Sequence, residues 1–151
     1  MNIEKAIADA GYSLPSLPAA GGNYVPTRTV GKMVYLSGVI STNSNGVITG
    51  RAGDGSGVEE GYAAAQTCAL IHLAVLRQHL GSLDMVKSIV SVNGYVNAAP
   101  SFADTPKIIN GASDLLVKVF GDAGRHVRAA VGVSALPRNA LVELQMVVEI
   151  E

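Results

Sequence analysis

Several things are scarce in this chain, and each scarcity narrows what it can be. There is one cysteine in 151 residues, no tryptophan, two phenylalanines, and only 15% charged side chains. The single Cys68 excludes an internal disulfide and fits a reducing compartment. The net charge is −1, with no run of Lys or Arg. A nucleic-acid binder needs a basic patch or aromatic platforms, so no nucleic-acid partner is expected. No apolar run approaches the length needed to span a membrane and no leader resembles a signal peptide, so no membrane contact is expected and the cytoplasm is the expected location. His72 and His79 stand seven residues apart on one expected helix, too far for an i, i+4 metal pair, and no Cys or Asp cluster joins them. No metal is expected.

What is plentiful is apolar: 48% of the residues. A charge fraction below the usual quarter implies that some sheet or helix surface meets another subunit. The length suits a single domain with a real core. Residues 1–18 read as an N-terminal helix and connector, and 19–151 as the main body.

Asn2 can cap a short helix with Ile3, Ala6, Ile7 and Ala10 as its stripe and Gly11 at its end. Leu14 to Pro18 is a rigid connector. Strands are expected at Tyr24–Thr29 and Lys32–Ile40 around a Val30-Gly31 turn, then a polar turn at Asn43 to Gly46 and a short strand at Val47–Thr49. Ser56-x-x-Glu59 fits a capping box opening a helix that stops at Gly81. Its middle, Cys68 to Leu76, is apolar nearly all round and should be covered on more than one side. That places Cys68 and His72 in the core. Lys87–Asn97 alternates, with Val90, Val92, Gly94 and Val96 inward and Ile89, Ser91, Asn93 and Tyr95 outward. A second helix has Thr105 as cap, Pro106 in its first turn, a stripe of Ile108, Ile109, Ala112, Leu115, Leu116 and Val119, and Gly121 at its end. The order of elements predicts an α+β fold, a mixed sheet with two long helices on one face. The other face is either solvated or packed against identical subunits, and its low charge favours packing.

Residues 125–150 read as two alternating strands joined by a Pro/Asn loop. Val127, Ala129, Val131, Val133 and Ala135 share one face of the first, with His126, Arg128, Ala130, Gly132 and Ser134 on the other. In the second, Val142, Leu144, Met146, Val148 and Ile150 oppose Leu141, Glu143, Gln145, Val147 and Glu149. The Val-rich faces are expected to build the core, leaving Arg128 and Glu143 on the reverse of one hairpin. A guanidinium in a niche of small residues beside a carboxylate suits capture of a small carboxylated substrate with an acid/base group at hand. His126, two residues before Arg128, is a further candidate to line that site.

The order Arg128, two small residues, Val131-Gly132-Val133, Leu136-Pro137 and Val142-Glu143-Leu144 resembles the C-terminal signature of the Rid (reactive intermediate deaminase, or YjgF) family. Gly22-Asn23-Tyr24 and the strand Val34 to Ile40 match it further upstream, so the resemblance covers roughly positions 19 to 150. It implies a chorismate-mutase-like fold of the bacillary type, assembled as a homotrimer with its sites between subunits. The activity it implies is hydrolysis of enamine and 2-imino acid intermediates to 2-keto acids and ammonia, with no metal or organic cofactor. By the same resemblance Arg128 holds the substrate carboxylate and Glu143 positions or activates water. Tyr24 lines the pocket, the backbone of Gly38 approaches the ligand, and the Ala130 carbonyl contacts the water.

The chain departs from the family at two points. Many members place Ser and Cys where this chain has Ala129 and Ala130, and the Gly-rich stretch Gly50 to Gly57 is longer than usual. That stretch lacks the Lys-Ser/Thr of a phosphate loop and reads as a flexible loop and cap, close enough to the strand edge to lid the pocket. Two other functions compete with the deaminase reading. One is a non-catalytic module that binds a keto acid or similar carboxylate. The other is RNA cleavage, since relatives carry endoribonuclease labels, but the chain has no basic track and no His pair set for phosphodiester chemistry.

Overall fold

The structure, a computed structural model, describes residues 2–17 and 22–151. The end of the expected connector, Pro18, and the expected boundary between 18 and 19 lie outside the described residues. The N-terminal helix α1 is Ile3–Asp9, with the Asn2 side chain accepting from the Lys5 N–H as its cap. Three short strands follow: β1 Thr27–Val30, β2 Met33–Leu36 and β3 Val39–Ile40. A two-stranded ribbon, β4 Thr42–Asn43 and β5 Gly46–Val47, takes the place of the single strand expected at Val47–Thr49. Then come α2 Val58–Leu80, β6 Val86–Asn97, α3 Thr105–Phe120, β7 Val127–Val133 and β8 Val142–Ile150.

The sheet runs β1-β2-β8-β6-β7, with β3 also paired to β8. Both long helices pack on one face of it. The core lies between, built from Val34 and Leu36 of β2, Val142 to Val148 at every second position of β8, Val92 and Val96 of β6, and the apolar sides of α2 and α3. On α2, Cys68, Ala69, Ile71, His72, Leu73, Ala74 and Leu76 are all buried. Its apolar middle is covered on more than one side, with Leu70 and Val75 left partly exposed. Every residue of the stripe expected on α3 is buried.

Four local expectations give way. The α2 cap is Gly57, one residue late, and Glu60 rather than Glu59 reaches back, accepting from the Gly57 N–H at 2.9 Å. Thr105 opens α3 but Asp104 holds the cap position; the Thr105 hydroxyl instead donates to Ala130 O on β7 at 3.0 Å. In β6 the alternation breaks, because Ile89 is buried while Val90 is half-buried. The register against β8 shifts between Ile89 and Ser91, and a bulge inverts every side chain on one side of it. The Gly50–Gly57 stretch is tied down rather than loose. Ala52 N–H donates to Asn97 O, Ala99 N–H donates to Ala52 O, and Arg51 Nη2 donates to Ser134 O at 2.6 Å.

The C-terminal hairpin does not form. β6, α3 and β7 make a crossover unit, so β7 lies parallel beside β6 at the edge of the sheet. β8 runs antiparallel on the other side of β6, and the two strands never touch. The loop between them, residues 134–141, carries Arg138 and Asn139 at positive φ and is too long for a tight hairpin turn. The faces of β7 are also reversed. Arg128, Ala130 and Gly132 pair with Val92, Gly94 and Val96, which face the helices, whereas Val127, Ala129 and Val131 pair with Ser91, Asn93 and Tyr95 on the open face. Val127 is accordingly 70% exposed and Val131 45% exposed. The Val-rich face of β7 is no part of the core.

Candidate functional site

Arg128 faces α3, and three groups of that helix and its first turn hold it. Nη1 donates to Asn110 Oδ1 at 2.8 Å and to Ser113 Oγ at 3.0 Å, and Nη2 donates to Pro106 O at 3.3 Å. His126 joins the same cluster. Its Nδ1 lies 2.7 Å from Gly124 O, and its Nε2 lies 2.9 Å from Ser113 Oγ. A carbonyl oxygen only accepts, so in the neutral ring Nδ1 carries the hydrogen and Nε2 accepts from the Ser113 hydroxyl. Ser113 thus takes a hydrogen bond from Arg128 and gives one to His126. Ala130 O, on the same strand, is engaged by Thr105. Asn110 and Ser113 sit one turn apart on α3 and were invisible as partners until β7 was placed beside that helix.

Glu143 lies elsewhere. It pairs with Ile40 and Tyr95, so it points to the open face of the sheet, opposite to Arg128. Within one chain the two residues do not share a niche. The reason is the interposed β6: an arginine on β7 and a glutamate on β8 are separated by a whole strand and face opposite ways.

Glu143 does meet Gly38. Three residues, Leu36 to Gly38, oppose only Gln145 and Met146 of β8, so β2 and β3 are one strand broken by a bulge. Gln145 Nε2 donates to Leu36 O at 3.1 Å across the break. A Cβ at position 38 would overlap Glu143 Oε2, so any larger residue there would displace the carboxyl from the strand break. Half-burial pushes the Glu143 carboxyl above its ordinary pKa.

Behind the break lies a cavity of about 530 Å³ between the β1–β3 end of the sheet and α2. Tyr24 and Gly38 both line it, together with Ser37, His72, Gln78 and His79. Tyr24, Gly38 and, through Gly38, Glu143 therefore gather at one place, while Arg128, His126 and Ala130 gather at another. His72 is buried as expected of a core residue, yet it also belongs to the cavity wall. Its neighbours on α2 are apolar, so nothing in the sequence marks it as lining anything. Cys68 is fully buried and its thiol is pushed up, chiefly by burial, which leaves it inert. Among the described residues no group of three or more His, Cys, Asp or Glu could hold a metal ion, and no helix is long and apolar enough to cross a membrane.

A mixed sheet with two long helices on one face, a carboxyl against a strand break and an arginine on the far edge strand define a chorismate-mutase-like α+β protein. The model of the YjgF/chorismate mutase-like endoribonuclease family matches residues 4–150, and the chain belongs to that family, the Rid proteins. It is 43% identical over 142 residues to "Protein TCP17" of Trypanosoma cruzi, covering 93% of this chain and 89% of that one. It is 30% identical over 141 residues to a 2-iminobutanoate/2-iminopropanoate deaminase of Dermatophagoides farinae, covering 92% and 94%. The crystal structure of the protein Atu1372 of Agrobacterium tumefaciens, whose function is unknown, superposes with a TM-score of 0.92 at 38% identity, over 99% of this chain and 92% of that one.

Proposed function

We propose that the protein hydrolyses small 2-imino acids and their enamine tautomers to 2-keto acids and ammonia. The observation that carries this reading is Glu143: a half-buried carboxyl, raised in pKa, set against the Gly38 backbone beside a cavity. Such a carboxylate is a stronger base than an exposed one and so better suited to take and return a proton. Water adds to the C=N carbon while Glu143 accepts its proton. Glu143 returns that proton to the nitrogen, giving a carbinolamine; the carboxylate then passes the hydroxyl proton to the amino nitrogen as C=O forms, the C–N bond breaks and ammonia leaves. The imine carbon is already electrophilic, so an oriented water and a proton relay are enough. Similarity to the 2-iminobutanoate/2-iminopropanoate deaminase of D. farinae supports the same chemistry.

The substrate carboxylate falls to Arg128, whose planar fork pairs with it bidentately. Since Arg128 and Glu143 face opposite ways in one chain, the complete site takes Arg128 from one copy and Glu143, Gly38 and Tyr24 from another. We place it between the subunits of a homotrimer. The test follows imine decay, with imines made in situ from several amino acids, and binding of a keto-acid product analogue. Glu143→Gln should keep analogue binding and lose turnover by roughly a hundredfold to ten-thousandfold. Arg128→Lys should weaken capture while the assembly stays intact. Wild-type rates in both variants would refute this assignment; analogue binding through Arg128 without any turnover would instead make the protein a carboxylate-binding module. Light scattering should report about three times the 15.5 kDa chain mass.

A further inference from the structure

The Gly50–Gly57 stretch has no part in the proposed reaction, yet it builds a cleft at the C-terminal end of β7. Ala52 pairs with Ala98 just past the end of β6, and its carbonyl accepts from the Ala99 N–H at 2.9 Å. Two walls follow from that docking. Gly53, at φ +80°, lies against Phe102: a Cβ there would come within 3.0 Å of the ring. Arg51, on the other side of Ala52, is half-buried and reaches across to β7, where Nη2 donates to Ser134 O at 2.6 Å. Arg51 and Phe102 bound a cleft of about 360 Å³, lined also by Pro100, Gly132, Val133 and Ser134.

The charge of Arg51 has no counter-ion among the described residues. Asp54, three residues on, bonds Arg51 only through its backbone N–H, and Asp104 pairs with Lys107 at 3.7 Å. The bond to Ser134 O uses one of five guanidinium N–H groups. It fixes the direction of the planar fork and leaves one edge of two N–H groups for a carboxylate. Among the described residues no other charged side chain lines the cleft, and Phe102, Pro100 and Val133 make much of the rest apolar. One cation in apolar surroundings matches one negative charge; a phosphate dianion would keep charge unmatched against Phe102 and Pro100. The volume lies within the usual range for small-molecule sites. We propose that this cleft binds a small monocarboxylate with an apolar body, Arg51 taking the carboxylate and the body lying against Phe102 and Pro100. Arg128 stands near the opposite end of β7 and is held by α3, so the two arginines take their ligands separately. The assignment stands whether or not the chain is a deaminase.

Cyclohexanecarboxylate and cyclohexanecarboxamide test it, because they share a shape while only the first is charged. NMR titration of the wild-type protein at constant ionic strength should show the carboxylate binding at Arg51 on the order of tenfold tighter, the effect of charge-assisted hydrogen bonds. The Arg51 Nε–H signal should move with the carboxylate and stay put with the amide. Because the carboxylate also suits Arg128, the two guanidinium signals are followed separately, and Arg128→Lys should leave the Arg51 response intact. Arg51→Gln should erase the preference, and Arg51→Lys, which keeps the charge and loses the fork, should retain part of it. Both variants disturb the bond to Ser134 O, so the wild-type Nε signal decides the question independently of how well they fold. Inorganic phosphate should compete poorly. Equal affinities for acid and amide, or phosphate binding at Arg51 as tightly as the carboxylate, would overturn the proposal. So would an Arg51 signal unmoved up to the solubility limit, as when a carboxylate of a neighbouring copy already holds that guanidinium.

Discussion

Gly111 sets α3 directly against the backbone of α2, and replacing it with alanine should loosen the protein even though alanine is the better helix former. A Cβ at position 111 would overlap the backbone carbonyl of Tyr62 on α2, with Tyr62 C and Cα close behind. No rotamer change relieves a collision with backbone, so the helices must move apart. In an open helix interior Gly→Ala gains about 1 kcal/mol from propensity. Overpacking a close contact costs about 1–3 kcal/mol, and a rigid backbone neighbour puts this site at the upper end. The net loss should be about 1–2 kcal/mol, or roughly 2–8 °C in Tm for a domain of this size. The damage should reach Arg128, because Asn110 and Ser113, which hold its guanidinium, flank Gly111 on the same turn. Thermal unfolding by circular dichroism measures the first effect; amide exchange across α3 measures the second. Gly61→Ala makes the comparison, since its Cβ would meet only the Ile108 side chain. That loss should be recovered in part by Ile108→Val. An unchanged or higher Tm for Gly111→Ala would refute the reading of this contact.

Three further outcomes are expected. Stability should fall on acidification through His72, whose folded pKa of about 4 lies below the ordinary 6.5. Between those values the unfolded chain binds a proton that the folded chain does not, so stability declines from pH 6.5 and the loss is complete near pH 4, with an upper limit of about 3 kcal/mol. The raised carboxyl of Glu143 acts with the opposite sign, since its folded form takes up a proton first; denaturant midpoints of the wild type against His72→Gln isolate the histidine, and equal slopes would refute it. Ser113→Ala removes the hydroxyl between Arg128 and His126 and should raise KM for the imine with little change in kcat, whereas a purely structural role would move Tm and leave KM alone. RNA should survive incubation with highly purified protein at physiological salt, because nothing in the chain neutralises a run of phosphates; cleavage lost on a single substitution would count against the deaminase reading.

What was legible in the sequence follows periodicity. The stripe of α3 and the Val142-Leu144-Met146-Val148 side of β8 were readable because a helix or strand with one buried face must repeat at 3.6 or 2 residues. Periodicity does not say which of two faces is buried when both are apolar enough. β7 has Val127, Ala129 and Val131 on one side and Ala130 and Gly132 on the other, and the larger residues turned out to be exposed. The packing of α3 decided the matter: only small residues, and an arginine lying along the helix, fit beneath Thr105, Asn110 and Ser113. The bulges at Ile89–Ser91 and Leu36–Gly38 were illegible for a related reason, since an inserted residue is an agreement between two strands and neither strand carries it alone.

The same logic ties the proposed activity to assembly. Sequence reasoning named Arg128 and Glu143 together on the assumption that fifteen residues of hairpin would bring them side by side. With β6 between their strands, one chain offers a guanidinium toward α3 and a carboxyl on the open face, and no substrate reaches both. The open face is also where Val127 and Val131 stand exposed on an edge strand, beside Tyr95 and the Glu143 row. A second copy covering that face would bury the exposed valines, and the proposed site would take its arginine from one copy and its carboxyl from another. Activity and association should then fail together. Diluting the protein until light scattering reports single chains should extinguish imine hydrolysis per chain. Two inactive variants, Arg128→Lys and Glu143→Gln, should regain part of the rate when mixed and allowed to exchange subunits, because some interfaces then pair an intact arginine with an intact glutamate. Full activity in isolated chains, or no recovery on mixing, would mean that the two residues do not serve one substrate.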